Sequence, residues 1–168
     1  MKKIHRLIAA VGLIIIVLLG FTLYSDIPLR FGKHIILRTQ PVDPFDPLMG
    51  QYIAINYDIS QVPGNFILGE NVYVSLKKEN NIWVFQSASK EKPRSGDFIR
   101  GEALWSNDNS TRVDYGIETY YFERNAQFPT QNLTVEVAVA SSGRAKIWQL
   151  LSNDKPLDIS YEPVTITS

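Results

Sequence analysis

The chain has no cysteine among its 168 residues. That excludes disulfides, thiolate nucleophiles, iron–sulfur clusters and cysteine-built zinc sites. Histidine is nearly absent as well, with only His5 and His34. Zinc needs three or four convergent ligands, so His34 reads as a strand residue, and no metal or cofactor is expected. Neither sign of charge is in excess, with 17 basic and 17 acidic residues. Lys2, Lys3 and Arg6 precede every acid, so the body of the chain sets 14 basic residues against 17 acids, a net charge of −3. A mildly acidic body without a basic stripe argues against a nucleic-acid partner. Internal repeats and low-complexity linkers are lacking, and one domain is expected. Gly-x-Ser-x-Gly, P-loop and dinucleotide fingerprints are also lacking.

What is present begins with one long apolar run, Leu7 to Leu23. As a helix rising about 1.5 Å per residue it spans about 25 Å, enough for a thin bilayer. A cleaved signal peptide would leave through small residues. Here the exit is Phe21-Thr22-Leu23-Tyr24-Ser25-Asp26, and Tyr24 suits the interfacial aromatic belt. The run is therefore expected to stay attached as a signal anchor. Residues 1–25 form the basic head and anchor, with residues 7–23 in the lipid bilayer. Residues 26–168 form a domain outside the cytoplasm, because Lys2, Lys3 and Arg6 hold the N-terminus inside. A short link is expected over residues 25–33.

The rest reads as strands. His34–Thr39 is followed by Pro41, Pro44 and Pro47, which exclude helix. Residues 51–59 alternate, with Ile53, Ile55, Tyr57 and Ile59 on one face and Tyr52, Ala54, Asn56 and Asp58 on the other. Residues 71–78 and 82–88 form a hairpin around Glu79-Asn80-Asn81. Residues 97–105 form a strand in which Gly101 marks a bulge or a close contact. Residues 112–122 are β-rich but broken at Gly116, and a short helix after Gly116 stays open. Residues 133–140 and 144–151 form the clearest hairpin, turning at Ser141-Ser142-Gly143, and the tail from Pro156 adds an edge strand. The expected fold is mainly β: an antiparallel sandwich or partly open barrel of about eight or nine strands, preceded by one N-terminal transmembrane helix.

Gly50-Gln51-Tyr52-Ile53-Ala54-Ile55-Asn56-Tyr57 resembles the motif of the GDYXXLXY family of bacterial membrane-anchored proteins. Gly50, Tyr52 and Tyr57 match; Gln51 replaces aspartate and Ile55 replaces leucine. Pro41-Val42-Asp43-Pro44, Ile99-Arg100-Gly101, Tyr115-Gly116-Ile117-Glu118 with Tyr120, and Val137-Ala138-Val139 with Gly143-Arg144-Ala145 resemble its other recurrent blocks. The resemblance implies the bacterial inner membrane and an integral membrane partner, since family members are commonly encoded beside a multi-spanning protein. It implies no activity. An amide at Gln51 does not titrate, so the motif position is read as structural, accepting hydrogen bonds from turn amides.

Two groups of residues are expected to carry the motif and its function. Gly50, Gln51, Tyr52, Tyr57, Tyr115 and Gly116 form the structural motif. Asp43, Asp46, Tyr52, Arg100, Glu118 and Arg144 are the candidate ligand or partner residues, with Asp43, Arg100, Glu118 and Arg144 converging either as a salt-bridge lattice or as a site. No catalytic residue is assigned; serine–lysine catalysis fails because Asp46-Pro47-Leu48-Met49-Gly50 holds no serine. The leading expectation is an accessory, interacting protein. A glycan-binding module built on exposed tyrosines and tryptophans is the alternative, and a hydrolase using an acid–arginine cluster is the third.

Overall fold

The computed structural model describes residues 2–40, 52–107, 109–122, 126–127 and 132–161. One helix, α1 (Lys2–Phe31), leads into strands β1 (Lys33–Arg38), β2 (Tyr52–Ala54), β3 (Gln61–Pro63), β4 (Asn71–Glu79), β5 (Ile82–Ser89), β6 (Asp97–Ser106) and β7 (Ser110–Asp114). There follow β8 (Thr119–Tyr121), β9 (Ala126–Gln127), β10 (Leu133–Val139), β11 (Ala145–Ser152), β12 (Lys155–Pro156) and β13 (Ser160–Tyr161). Nine strands share one sheet in the order β12-β11-β10-β1-β5-β4-β6-β7-β3, and β2–β8 and β9–β13 form two small sheets.

This sheet is a β sandwich because it folds over at its weakest joint. β1 and β5 touch through a single parallel pair, Leu37 with Trp83. Every other pairing in the sheet is antiparallel, so the sheet is mixed where an antiparallel one was expected. β1 and β6 lie three places apart in the order, about 14 Å at ~4.8 Å per strand if flat. Yet Lys33 Nζ lies 2.7 Å from Asp97 Oδ1, and Arg100 N donates to Gly143 O at 2.8 Å. The two leaves, β12-β11-β10-β1 and β5-β4-β6-β7-β3, therefore face each other. The sheet does not close into a barrel.

The alternating sequence explains what lies between the leaves. Ile35 and Leu37 of β1, Val72, Val74 and Leu76 of β4, Ile99 of β6, and Val135 and Val137 of β10 are all buried. The 71–78/82–88 hairpin forms as expected, with Asn80 at φ 55° in its turn. The 133–140/144–151 hairpin also forms, with Gly143 at φ +85°. Residues 52–59 alternate in burial as expected but not in backbone. Only Tyr52–Ala54 is strand, and Asp58–Ser60 is a 3-10 turn. The chain changes partner there, from β8 to Thr39 and Gln40. No helix follows Gly116 within the described residues 117–122, where β8 forms instead.

α1 corrects the short link expected over residues 25–33. It continues past the apolar run to Phe31, and its last turns pack on β10 and β11. Pro28 lies inside this extension and is fully buried. Proline has no N–H, so the Tyr24 carbonyl loses its helical donor. Arg144 takes that place: its Nη1 donates to Tyr24 O at 3.4 Å, and its guanidinium stands 4.4 Å from the Tyr24 ring centre. Lys146 Nζ pairs with Asp26 Oδ1 at 2.9 Å.

Gly101 is a point of close approach. A Cβ there would sit 2.3 Å from Val113 Cγ1 and 2.5 Å from Asp114 O. Gly101→Ala is expected to destabilise the fold by about 2 kcal/mol or more, since overpacking typically costs ~1–3 kcal/mol. Chemical denaturation of the full chain in detergent measures this, and an unchanged midpoint would contradict the contact.

Candidate functional site

The motif stretch and the Tyr115 block are remote in sequence but meet in space. β2 pairs with β8 in the register Tyr52–Tyr121, Ile53–Tyr120, Ala54–Thr119. Beyond it, Ile55 N donates to Glu118 O at 2.6 Å. Each segment then turns on itself. Ser60 N donates to Tyr57 O, and Tyr57 N donates to Ser60 Oγ. Opposite, Gly116 takes φ +74° and its N–H donates to Asp114 Oδ1 at 2.7 Å. The Glu118 carboxyl accepts from Tyr115 N and Ile117 N, each at 2.7 Å.

One carbonyl of each turn is then satisfied by the opposing tyrosine. Tyr57 is fully buried, and its hydroxyl donates to Ile117 O at 2.7 Å. Tyr115 is also buried, and its hydroxyl donates to Ile59 O. Each tyrosine thus reaches the residue two beyond the other, forming a reciprocal clasp. Arg112 adds a side bond to Asn56 Oδ1. Burial, reinforced by the Glu118 charge, pushes both phenols well above their usual range.

Two carboxyls sit against this clasp. Burial, together with a hydrogen bond to Asp114, raises Glu118 to about 7. Asp114 is lowered because it accepts that bond. The pair shares one proton. Both carboxyls also accept from turn amides, Asp114 from Gly116 N and Glu118 from Tyr115 N and Ile117 N, as capping groups do.

The expected convergence of charges takes a different form. Asp43, Asp46, Gly50 and Gln51 lie outside the described residues. Tyr52 is half-buried, its ring 6.1 Å from that of Tyr121. Glu118 belongs to the clasp, whereas Arg144 belongs to the α1 contact. Arg100 meets the turn before Arg144 through its backbone. No ion pair joins Arg100, Glu118 and Arg144 among the described residues. His34 Nδ1 bonds Glu136 at 2.8 Å, and its ring meets Trp148 edge-on. Asp114, Asp26 and Lys146 were not among the expected site residues. Pro28 just beyond Tyr24 was the available signal for the helix contact.

One apolar helix long enough to cross a membrane (residues Lys3–Phe31), continuous with a β sandwich, defines the class: a β domain carried on an N-terminal candidate membrane helix. The family model described as GDYXXLXY protein matches residues 14–150. The chain belongs to that family, and the match takes in the later part of the helix and the clasp. Neither the comparison with curated proteins nor that with solved structures returned a match.

Tyr57→Phe and Tyr115→Phe should each cost about 1–3 kcal/mol, the penalty for a buried carbonyl left without its donor. Because each hydroxyl holds the other's loop, the double variant should cost less than the sum by roughly 0.5 kcal/mol or more. Strict additivity in a double-mutant cycle would mean that the two bonds do not act as a unit.

A pH dependence follows from the carboxyl pair. Glu118 has its folded pKa raised from 4.5 to about 7, so its contribution is complete below its unfolded pKa and is lost as pH rises through about 7. Asp114 has the opposite sign, and its contribution is lost on acidification below its usual range. Stability should fall between about pH 5 and pH 8 by on the order of 1–2 kcal/mol, after allowance for solvent screening. Asp114→Asn keeps an acceptor for Gly116 and gives Glu118 a donor, so it should flatten that fall in thermal melts. An unchanged pH profile would contradict the shared proton.

Proposed function

We propose that this protein is a non-enzymatic accessory protein of the bacterial inner membrane. α1 spans the bilayer with its N-terminus in the cytoplasm, and the sandwich is presented outside to an integral membrane partner. The observation that carries this reading is the contact between α1 and the β10–β11 hairpin. A tethered enzyme or a freely searching binding module is served by a flexible linker. Here the helix runs unbroken into its contact with the sheet, through buried Pro28, Arg144 on Tyr24 and Lys146 on Asp26. A domain held this way has a defined height and angle above the bilayer, as docking to a fixed membrane neighbour requires. The clasp supports the same reading, because the family motif residues Tyr57 and Tyr115 are spent on internal hydrogen bonds.

Purification of the tagged full chain in mild detergent should recover an integral membrane protein in comparable amount. The Arg144→Ala/Lys146→Ala variant should recover several-fold less while remaining in the membrane fraction. Recovery of the chain alone, from cells and detergents that preserve other membrane complexes, would count against the proposal.

A further inference from the structure

We propose that the β10–β11 turn and the adjoining part of β6 form a basic face that rests on the lipid headgroups of the bilayer spanned by α1. This rests on the membrane-anchor reading above. Tyr24 immediately follows the apolar run Leu7–Leu23. Arg144 stacks on its ring, so the Ser141–Arg144 turn sits at the level where the helix leaves the hydrocarbon. Aromatic and basic side chains favour that level, where rings meet the headgroup layer and cations meet phosphate.

The turn carries β6 with it. Arg100 N donates to Gly143 O, and a Cβ at Gly143 would lie 2.7 Å from Phe98 Cε2 and 3.0 Å from Arg100 Cβ. Lys92 stands 5.7 Å from the Phe98 ring centre. Arg144, Arg100 and Lys92 thus gather at one end of the sandwich. No carboxylate pairs with any of the three among the described residues. Two acids at the same end are already neutralised, Asp26 by Lys146 and Asp97 by Lys33. The 90–96 loop adds Arg94 against a single acid, Glu91. The body of the chain carries a net charge of −3, so the described residues at this end are opposite in sign to the domain as a whole. An anionic surface would attract it and repel the rest, which fixes which end faces the lipid. The occupant is the bilayer itself, because the face is continuous with the helix that enters it.

The chain has no cysteine, so Ser142→Cys gives one labelling site on this face and Lys155→Cys gives one at the far end of β11. Each full-length variant, carrying an environment-sensitive fluorophore, is reconstituted in phosphatidylcholine vesicles with about one-third phosphatidylglycerol and a headgroup nitroxide lipid. The Ser142 probe should be quenched roughly threefold or more above the Lys155 probe. The excess should shrink when salt rises from about 0.1 M to about 1 M, which shortens the screening length from about 10 Å to about 3 Å. It should also shrink in Lys92→Glu/Arg100→Glu, which leaves the α1 contact intact. Equal quenching at the two sites, or a Ser142 excess indifferent to both salt and charge reversal, would overturn the proposal. Failure of the chain to float with vesicles would overturn the anchor reading and this inference with it; flotation without Ser142 quenching would overturn this inference alone.

Discussion

The reciprocal tyrosine clasp is the constraint on which the rest of this fold depends. Tyr57 and Tyr115 each carry a phenol into the core, where an unpaired hydroxyl or carbonyl costs free energy. The two turns use their own amides first, through Ser60 on one side and through Asp114 and Glu118 on the other. One carbonyl of each then accepts from the opposing tyrosine. Neither turn is complete without the other. The clasp therefore fixes where β2 leaves β8 and where the chain crosses towards Thr39. It also accounts for an alternating sequence that is not a continuous strand. Burial alternates because both loops share one core, while the backbone turns to place the hydroxyls.

A second constraint links the sandwich to α1. Pro28 opens a gap in the helical ladder at Tyr24, and Arg144 answers it from the β10–β11 hairpin. The same turn meets β6 through Gly143. The end of the helix, the hairpin tip and the second leaf are consequently joined in one contact. The clasp binds the β2 and β3 segments to β7 and β8, whereas this contact binds the two leaves to the helix. Among the described residues, one parallel pair, Leu37 with Trp83, joins the leaves within the sheet itself. The cross-leaf contacts of Lys33 and Gly143 supply what that joint lacks.

Much of this was legible in sequence because it is local. The Asn71–Glu79 and Ile82–Ser89 hairpin follows from period-two alternation and a turn residue that accepts positive φ. The apolar run before Tyr24 reads as a membrane helix by length and composition, and Gly101 reads as a tight place because it lies within a strand. The described parts of the motif stretch and of the Tyr115 block meet through Tyr57 and Tyr115. Which charged residues act together is not legible in the same way. Arg144 and Glu118 look equivalent as charges within family-like blocks, yet one caps a helix carbonyl and the other caps a turn.

The sequence by itself determined most of the strands, the candidate anchor, the family and the inward face of residues 53–59. These depend on periodicity, hydropathy and residue type over a few positions. Only the tertiary structure decided that Tyr57 and Tyr115 exchange hydroxyls, that the sheet folds over at Leu37 and Trp83, and that α1 runs on past its apolar part to meet Arg144. The partners in those contacts stand far apart in the chain, as Tyr57 does from Ile117 and Tyr24 from Arg144. A hydrogen bond selects its partner by position in space, and position in space is set by the whole fold.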